Sequence, residues 1–228
     1  MKFIKSLIYN YLCINNLHKT KIEAFKIPDK SISFKKTKNL YLTNHIYFDI
    51  YQDDVYNFDI QEQLNKYKNL EKNQLLTAEH IVPQSYIKSI DNAKFDMHNI
   101  YLTNSKLNTH RSNYKYKDEI EFLKHKENIL ISNNLLAYNS SINYKSNKMR
   151  IFIPKASSRG IIARSIAYMK IIYCDFSIEN IIDLDILVKW NYQYPPSKLE
   201  KQKNRLIYEI QGNYNEFIEN LNLIDTLF

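Results

Sequence analysis

Residues 79 to 111 carry side chains that together could hydrolyse a phosphodiester bond. Glu79 and His80 are adjacent, and Asn108 follows within the same segment. The reaction needs a base for the attacking water, an electrophile for the phosphoryl oxygens, and a group that stabilises the charge on the leaving 3′ oxygen. A neutral imidazole can act as this base near pH 7, whereas a carboxylate and an amide carbonyl can hold one cation. These residue types favour His80 as general base and Glu79 with Asn108 as metal ligands.

The expected cation is Mg²⁺, because it prefers hard oxygen ligands and completes its octahedron with water and substrate phosphate. Mn²⁺ and Ca²⁺ are expected as structural substitutes. A zinc hydrolase that uses His80, His98 and His110 is an alternative, although the chain has no helical HExxH motif. Neighbouring residues of a regular strand point to opposite faces, so Glu79 and His80 can flank one phosphate only where a strand ends or bulges.

Charge is distributed unevenly along the 228 residues. Lys and Arg total 32 against 24 Asp and Glu, which gives a formal charge of +8 and favours a polyanionic partner. Residues 128–174 contain no acidic residue but hold Lys145, Lys148, Arg150, Lys155, Arg159, Arg164 and Lys170. Such a segment suits a surface that faces phosphates, because clustered cations release counterions on binding. Chance clustering in a Lys-rich chain is the alternative interpretation.

Cysteine content and hydropathy exclude two classes of protein. Cys13 and Cys174 allow at most one disulfide, and no CxxC or Cys/His pair marks a structural zinc site. No apolar run reaches the roughly 18 residues of a membrane span, and the apolar stretch near the N-terminus is interrupted by asparagines. We expect a soluble monomer that does not associate with membranes, and the pattern favours an intracellular location over export.

The elements that must position the chemical residues indicate an α+β fold. Alternating apolar residues predict one or two strands within residues 39–58 and a strand over 75–82 that Pro83 ends. A short strand over 99–102 precedes a helix that Asn104 caps and that runs to about Asn113.

The second half of the chain is predicted to be mainly helical. Helices are expected there at 118–130, 158–173, 178–191, 197–211 and 214–223, and one polar helix is expected in the first half, at 61–72. Gly160 is expected to permit either close packing or a positive φ. Gly212 is expected to end the penultimate helix, and Asn213 with Asn215 to open the last one.

Three motifs occur in a fixed order. They are EHIVPQS from Glu79, DMHNI from Asp96, and Asn108-x-x-Arg111-Ser112-Asn113. They are followed downstream by RGIIAR from Arg159, by Trp190 and by Gln211-Gly212-Asn213. This series resembles the bacterial endonuclease I family, the nonspecific nucleases with a ββα-metal (His-Me) finger, and the resemblance covers roughly residues 33 to 220.

The resemblance implies a His-Me finger core with a small antiparallel sheet. In such a finger the first strand carries the base His80, and the helix presents Asn108 as a metal ligand beside Glu79. The implied reaction is metal-dependent cleavage of double- or single-stranded DNA, and of RNA in some members, with little sequence preference and with 5′-phosphate ends. Residues 1–30 are expected to be a basic N-terminal extension, and residues 31–228 the nuclease domain.

The sequence departs from the family pattern at the cleaved phosphate. Members of the family often have an arginine between the general base and the Asp-x-His-Asn motif, but residues 81–95 offer only Lys88 and Lys94. A lysine supplies a point charge and no bidentate fork. Phosphate contact is therefore also considered for Arg111, Arg159 and Arg164.

Three further polar residues are expected to brace the site, namely Asp96, His98 and Asn99. The rival hypothesis from a different functional class is a nucleic-acid-binding relative that has lost catalysis, since the phosphate-binding arginine is missing. The intact Glu79, His80 and Asn108 favour the enzyme.

Overall fold

The computed structural model describes residues 25–44, 46, 49–51, 69, 76–118 and 143–228. Its strands are β1 (Leu76–His80), β2 (Ile100–Asn104), β3 (Lys115–Tyr116), β4 (Tyr144–Ser146) and β5 (Ile151–Ile153). Its α-helices are α1 (Phe34–Thr43), α2 (Gln84–Ile87), α3 (Ser105–Arg111), α4 (Ala156–Ile172), α5 (Leu184–Gln193), α6 (Lys198–Gln211), α7 (Glu216–Glu219) and α8 (Leu223–Leu227). This mixture of small sheets and helices confirms the predicted α+β class.

Strands β1 and β2 form an antiparallel pair that helix α3 follows directly. Glu79 lies opposite Tyr101 and His80 lies opposite Ile100. The predicted strand over 75–82 exists, but β1 ends at His80, before Pro83. Asn104 caps α3 as predicted, because its side chain accepts a hydrogen bond from the backbone N–H of Lys106.

A second sheet, in the order β3-β5-β4, was not predicted from the sequence. Strands β3 and β5 run parallel, whereas β4 and β5 run antiparallel. These strands contain only two or three residues each, so they are too short to show the apolar alternation that identifies a strand.

Helix α4 lies at the centre of the helical half. Twelve consecutive residues, Ser158 to Met169, are buried, so neighbours cover this helix on all sides. Gly160 packs against helix α5, since a Cβ added at this position would lie 2.0 Å from the carbonyl oxygen of Tyr194. Of the two roles predicted for Gly160, the structure therefore shows close packing and not a positive φ.

The helix ends of the C-terminal half follow the predicted pattern. Gly212 ends α6 with a φ of +79°, a left-handed conformation that glycine adopts without steric cost. Asn215 opens α7, because its side chain accepts a hydrogen bond from the N–H of Phe217. The helix predicted over 214–223 is divided into α7 and α8. The helix predicted over 178–191 is shortened to α5, which a 3-10 turn over Ile178–Asn180 precedes.

The strand prediction for residues 39–58 was wrong over its first part. Residues 39–43 belong to α1, which Ser33 caps by accepting a hydrogen bond from the N–H of Lys36. Two apolar residues of α1, Tyr41 and Leu42, pack into a small core with Ile100 and Ile207, so tertiary packing outweighs β propensity here. Residues 52–58, the helices predicted at 118–130 and 61–72 (apart from 69 and 118), and the extension before residue 25 lie outside the described residues.

The described end of the basic extension contacts the helical half. Phe25 is buried, and its ring centroid lies 5.0 Å from that of Phe217. The N–H of Asp29 donates to the carbonyl oxygen of Gln211 at 2.8 Å. Residues 25–29 therefore pack with the domain. Among the described residues, no helix has the length and apolarity that crossing a membrane requires.

We predict that Gly160→Ala destabilises the protein by about 2 to 3 kcal/mol, because the added methyl group would overlap backbone of the neighbouring helix end. Urea unfolding would measure the loss. Gln202→Ala, at an exposed position of α6, is the control and should change stability by no more than about 0.5 kcal/mol. Equal stability of Gly160→Ala and the wild type would contradict the packing described for α4 and α5.

Candidate active site

His80 is the last residue of β1, and its ring has a defined tautomer. Nε2 lies 2.8 Å from the carbonyl oxygen of Lys94, which can only accept, so Nε2 carries the proton. Nδ1 lies 3.3 Å from the amide nitrogen of Gln84, which donates to it. Burial lowers the pKa of His80 from its ordinary value, against the opposing effect of the Lys94 carbonyl. The imidazole is therefore neutral near pH 7, with a basic nitrogen at Nδ1.

Glu79 is a buried carboxylate with two specific neighbours. Its side chain is only 2 % exposed. The hydroxyl of Tyr51 donates to Oε1 at 2.8 Å, and Nε of Arg111 lies 3.3 Å from the same oxygen. Burial raises the pKa of Glu79 to about 7, although Arg111 and the Tyr51 hydrogen bond oppose this shift. Both side-chain contacts use Oε1, and neither uses Oε2.

The hydrogen bonds around Glu79 form a chain with a fixed direction. Nε–H of Arg111 donates to the hydroxyl of Tyr116 at 3.0 Å, since a guanidinium cannot accept. The hydroxyls of Tyr116 and Tyr51 lie 2.7 Å apart. Because Tyr51 gives its proton to Glu79, Tyr116 must donate to Tyr51. Burial raises the pKa of both tyrosines, so both hydroxyls stay protonated donors.

Tyr51 reaches Glu79 because Asp49 ties its segment to β2. The Asp49 carboxylate accepts hydrogen bonds from the hydroxyl of Thr103, the N–H of Asn104 and the N–H of Tyr51. The backbone N–H of Ile50 also donates to Leu102 at 3.1 Å. Residues 49–51 are therefore held along the edge of the β1–β2 pair.

Asn108 lies on the face of β1 that Glu79 shares. Its amide nitrogen donates to Thr77 Oγ1 at 3.0 Å and to the carbonyl oxygen of Ala78 at 3.1 Å. Thr77 and Glu79 are two residues apart on one strand, so their side chains project to the same face. The donors of Asn108 face the strand, and its carbonyl oxygen Oδ1 is consequently available for another partner. The structure thus brings Asn108 to the strand segment that carries Glu79 and His80.

The donor set at this position fits a hard cation. A carboxylate and an amide carbonyl are oxygen ligands, the kind that Mg²⁺ prefers and supplements with water and phosphate. In the described parts of the chain, no group of three or more His, Cys, Asp and Glu side chains is arranged to hold a metal ion. The zinc alternative therefore has no ligand set there, because His98 is buried elsewhere and His110 is exposed.

Asp96, His98 and Asn99 lie behind β1. The side-chain amide of Asn99 forms two hydrogen bonds with the backbone of Val82. Its Oδ1 accepts from the N–H at 2.7 Å, and its Nδ2 donates to the carbonyl oxygen at 3.1 Å. The Asp96 carboxylate accepts from the hydroxyls of Tyr168 and Tyr173 and from the Gln211 amide. These contacts are of the kind expected for residues that brace a site.

His98 is held between two elements and remains neutral. Its Nε2 donates to the carbonyl oxygen of Asn213 at 3.2 Å, and its ring packs against Tyr168 with centroids 4.5 Å apart. Burial lowers the pKa of His98 to about 4. These contacts join the connection before β2 to the end of α6.

The three arginines considered for phosphate contact are buried, and this corrects the sequence interpretation. Arg111 is 0 % exposed and donates to Ile81, Ser112 and Tyr116. Arg164 forms a two-pronged ion pair with Glu200, at 2.8 and 2.7 Å. Arg159 donates to the carbonyl oxygen of Pro154 and lies 3.7 Å from Asp118. Their guanidinium groups form hydrogen bonds and ion pairs inside the protein and do not reach solvent.

Lys88 and Lys94, the other two candidates for phosphate contact, are exposed. Lys94 lies beside His80 through its backbone carbonyl, and its Nζ lies 4.9 Å from the ring centroid of Phe95. Lys88 follows helix α2. Both lysines are thus accessible to solvent, in the segment of the chain that follows β1.

Sequence reasoning missed Asp49, Tyr51 and Tyr116. Each belongs to a common residue type in a Tyr-rich chain, and the contact of Tyr51 with Glu79 spans 28 residues. No local spacing connects them, so only the fold identifies their function.

Curated proteins match part of this chain. Endonuclease-1 of Buchnera aphidicola subsp. Acyrthosiphon pisum (strain APS) is 28% identical over 132 residues, which are 58% of this chain and 47% of that protein. Periplasmic deoxyribonuclease of Aeromonas hydrophila is 31% identical over 125 residues, or 54% of this chain and 47% of that protein. The chain thus spans about half the length of the curated relatives it matches. Residues 12–222 match the Endonuclease I family, and the chain therefore belongs to the endonuclease I family.

Proposed function

We propose that this chain is a metal-dependent endonuclease that hydrolyses DNA, and RNA as a second substrate, with little sequence preference, leaving 5′-phosphate ends. The observation that carries the proposal is the packing of Asn108 onto the strand that ends in Glu79 and His80. Family membership and the names of the two deoxyribonucleases from Aeromonas hydrophila support the same reaction and DNA as substrate.

The order β1, β2, α3 is what a ββα-metal finger requires. The first strand ends at His80, which supports the proposal that Glu79 and His80 flank one phosphate at a strand end. Helix α3 returns to β1 through Asn108. We therefore propose that these elements form a His-Me finger. We also propose that the chain acts as a monomer.

In the proposed mechanism His80 removes a proton from the attacking water. Nε2–H is bound to the carbonyl of Lys94, so the lone pair of Nδ1 faces the Gln84 amide, which a water molecule can replace. The hydrogen bond to Lys94 stabilises the imidazolium that forms. Its lowered pKa keeps the ring in the neutral, basic form before the reaction.

Glu79 and Asn108 would hold the Mg²⁺ ion through carboxylate and amide oxygens. When bound, the cation supplies positive charge for the phosphoryl oxygens and the departing 3′ oxygen. The Tyr51 hydroxyl and Arg111 both contact Oε1 of Glu79, so we propose Oε2 as the oxygen that would bind the cation.

We expect His80→Ala to lower plasmid nicking by about a thousandfold, because the general base is lost. Binding of a labelled duplex should persist, since the imidazole carries no charge that attracts phosphate. His110→Ala is the matched control, because His110 is an exposed histidine of α3, and it should nick plasmid like the wild type. Wild-type nicking by His80→Ala would exclude the assignment.

Removal of divalent cations with EDTA should abolish nicking, and added Mg²⁺ should restore it. Asn108→Ala removes one proposed ligand, so we expect the Mg²⁺ concentration for half-maximal nicking to rise about tenfold or more. Asn180→Ala, at an exposed asparagine, serves as the control and should leave this concentration unchanged. Nicking that is insensitive to EDTA would refute a metal-dependent reaction.

We expect Tyr51→Phe to weaken Mn²⁺ binding, measured by electron paramagnetic resonance on the whole chain, by about tenfold. The change removes the hydroxyl that orients Glu79 and keeps the ring. Tyr192→Phe likewise removes a tyrosine hydroxyl that donates to a carboxylate, Asp225 of α8, outside the site, and should leave Mn²⁺ binding unchanged. Equal Mn²⁺ affinity in Tyr51→Phe and the wild type would show that the hydroxyl does not position the carboxylate.

A second candidate function is nucleic-acid binding without cleavage. It is favoured by the ion pair of Glu79 with Arg111, which already neutralises the carboxylate, and by the absence of an arginine in residues 81–95. Purified protein that binds duplex but gives no nicking in Mg²⁺ would support this candidate over the enzyme.

A further inference from the structure

The structure divides the cations of the acid-free segment into two groups. Lys155, Arg159 and Arg164 are buried. Lys170 donates to backbone carbonyl oxygens of Cys174 and Phe176. Lys145, in β4, is half-buried, as Lys170 is. The exposed cations of this segment lie in the turn between β4 and β5, at Lys148 and Arg150. The part of the segment that can face a polyanion is therefore much shorter than the sequence pattern indicates.

Arg150 is held in place while its guanidinium remains accessible. It donates to Oδ1 of Asn113 at 2.6 Å, and its Cζ lies 5.2 Å from the ring centroid of Tyr114. The hydroxyl of Tyr114 in turn donates to Asn147 at 3.1 Å. Among the described residues no carboxylate pairs with Arg150, so several of its five N–H donors remain for a ligand. We call Asn113, Tyr114, Asn147, Lys148 and Arg150 the Arg150 patch.

A short series of contacts connects the Arg150 patch to His80. The amide of Asn113 donates to the hydroxyl of Ser85 at 3.5 Å. Ser85 follows Gln84, whose amide donates to Nδ1 of His80. Gln84 and Ser85 are both exposed, so the connection runs along the surface. The patch is thus linked to His80 through Ser85 and Gln84.

Backbone strain coincides with the patch. Arg150 has a φ of +55°, and Ser112, which precedes Asn113, also has a φ of +55°. Residues with side chains avoid this left-handed region, and such conformations concentrate at functional sites. At Arg150 the carbonyl oxygen accepts from the N–H of Lys115, which joins the turn to β3.

We propose that the Arg150 patch binds a backbone phosphate of DNA next to the phosphodiester that is cleaved. This inference rests on the proposed nuclease function and adds a substrate surface to it. A guanidinium can bind two phosphate oxygens at once, and Asn113 with Tyr114 fixes its orientation beforehand. The surface thereby supplies the fork-shaped donor that residues 81–95 lack, although for a flanking phosphate.

The test measures duplex binding by fluorescence anisotropy in a His80→Ala background without cleavage. Arg150→Ala should weaken binding about fivefold at moderate salt and lower the slope of log K against log salt concentration by about 0.9. The loss should be equal for two unrelated duplex sequences, because a phosphate carries no sequence information. Arg150→Lys should recover the salt slope but only part of the affinity, since charge is kept and the fork is lost.

Arg205→Ala is the matched control, because Arg205 is an exposed arginine on α6. It removes the same charge and should bind nearly as the wild type does. Unchanged binding by Arg150→Ala, or an equal loss in Arg205→Ala, would overturn the proposal. If the wild-type protein nicks plasmid but Arg150→Ala does not weaken duplex binding, the patch proposal is wrong and the nuclease proposal stands. If duplex binding depends on Arg150 but the wild-type protein does not nick plasmid, the nuclease proposal is wrong and the patch proposal stands.

Discussion

The buried guanidinium of Arg111 connects three elements at the end of strand β1. It donates to the carbonyl oxygen of Ile81 at 2.6 Å and to the hydroxyl of Tyr116, and it lies beside Glu79. A buried cation without a carboxylate partner would be costly, as would a buried carboxylate alone. Arg111 and Glu79 therefore depend on each other for burial. The position of the proposed metal ligand is set by this ion pair as much as by the strand.

Two networks of buried polar side chains support the β1–β2 pair from opposite sides. On one side Asp49, Tyr51 and Tyr116 orient Glu79 through hydrogen bonds whose direction is fixed. On the other side Asp96 accepts from Tyr168 of α4, from Tyr173 just after that helix, and from Gln211 at the end of α6. Buried networks of this kind stabilise one arrangement, because each unsatisfied polar group would cost free energy. The rigidity of the site thus depends on helices that contribute no chemical group to it.

The sequence predicted local features of this fold well and distant ones poorly. The strand that ends near Pro83, the Asn104 cap and the Gly212 helix end each follow from neighbouring residues, and all are present. The first part of the strand region predicted over 39–58 is a helix, because packing of Tyr41 decides its conformation. Arginines were expected at a phosphate because charge is visible in a sequence, whereas the burial of Arg159 and Arg164 beside distant carboxylates is not.

Residues 96–98, which precede β2, form hydrogen bonds with residues at the end of α6. These hydrogen bonds determine how early during protein synthesis the β1–β2 pair can be stabilised. The N–H of Met97 donates to the side chain of Gln211, a partner 114 residues later in the chain. Closing so long a loop costs conformational entropy before the contact contributes any stability. A nascent chain that has not yet reached Gln211 lacks this support. The β1–β2 pair is therefore expected to gain this support only late in translation, after the ribosome has released Gln211.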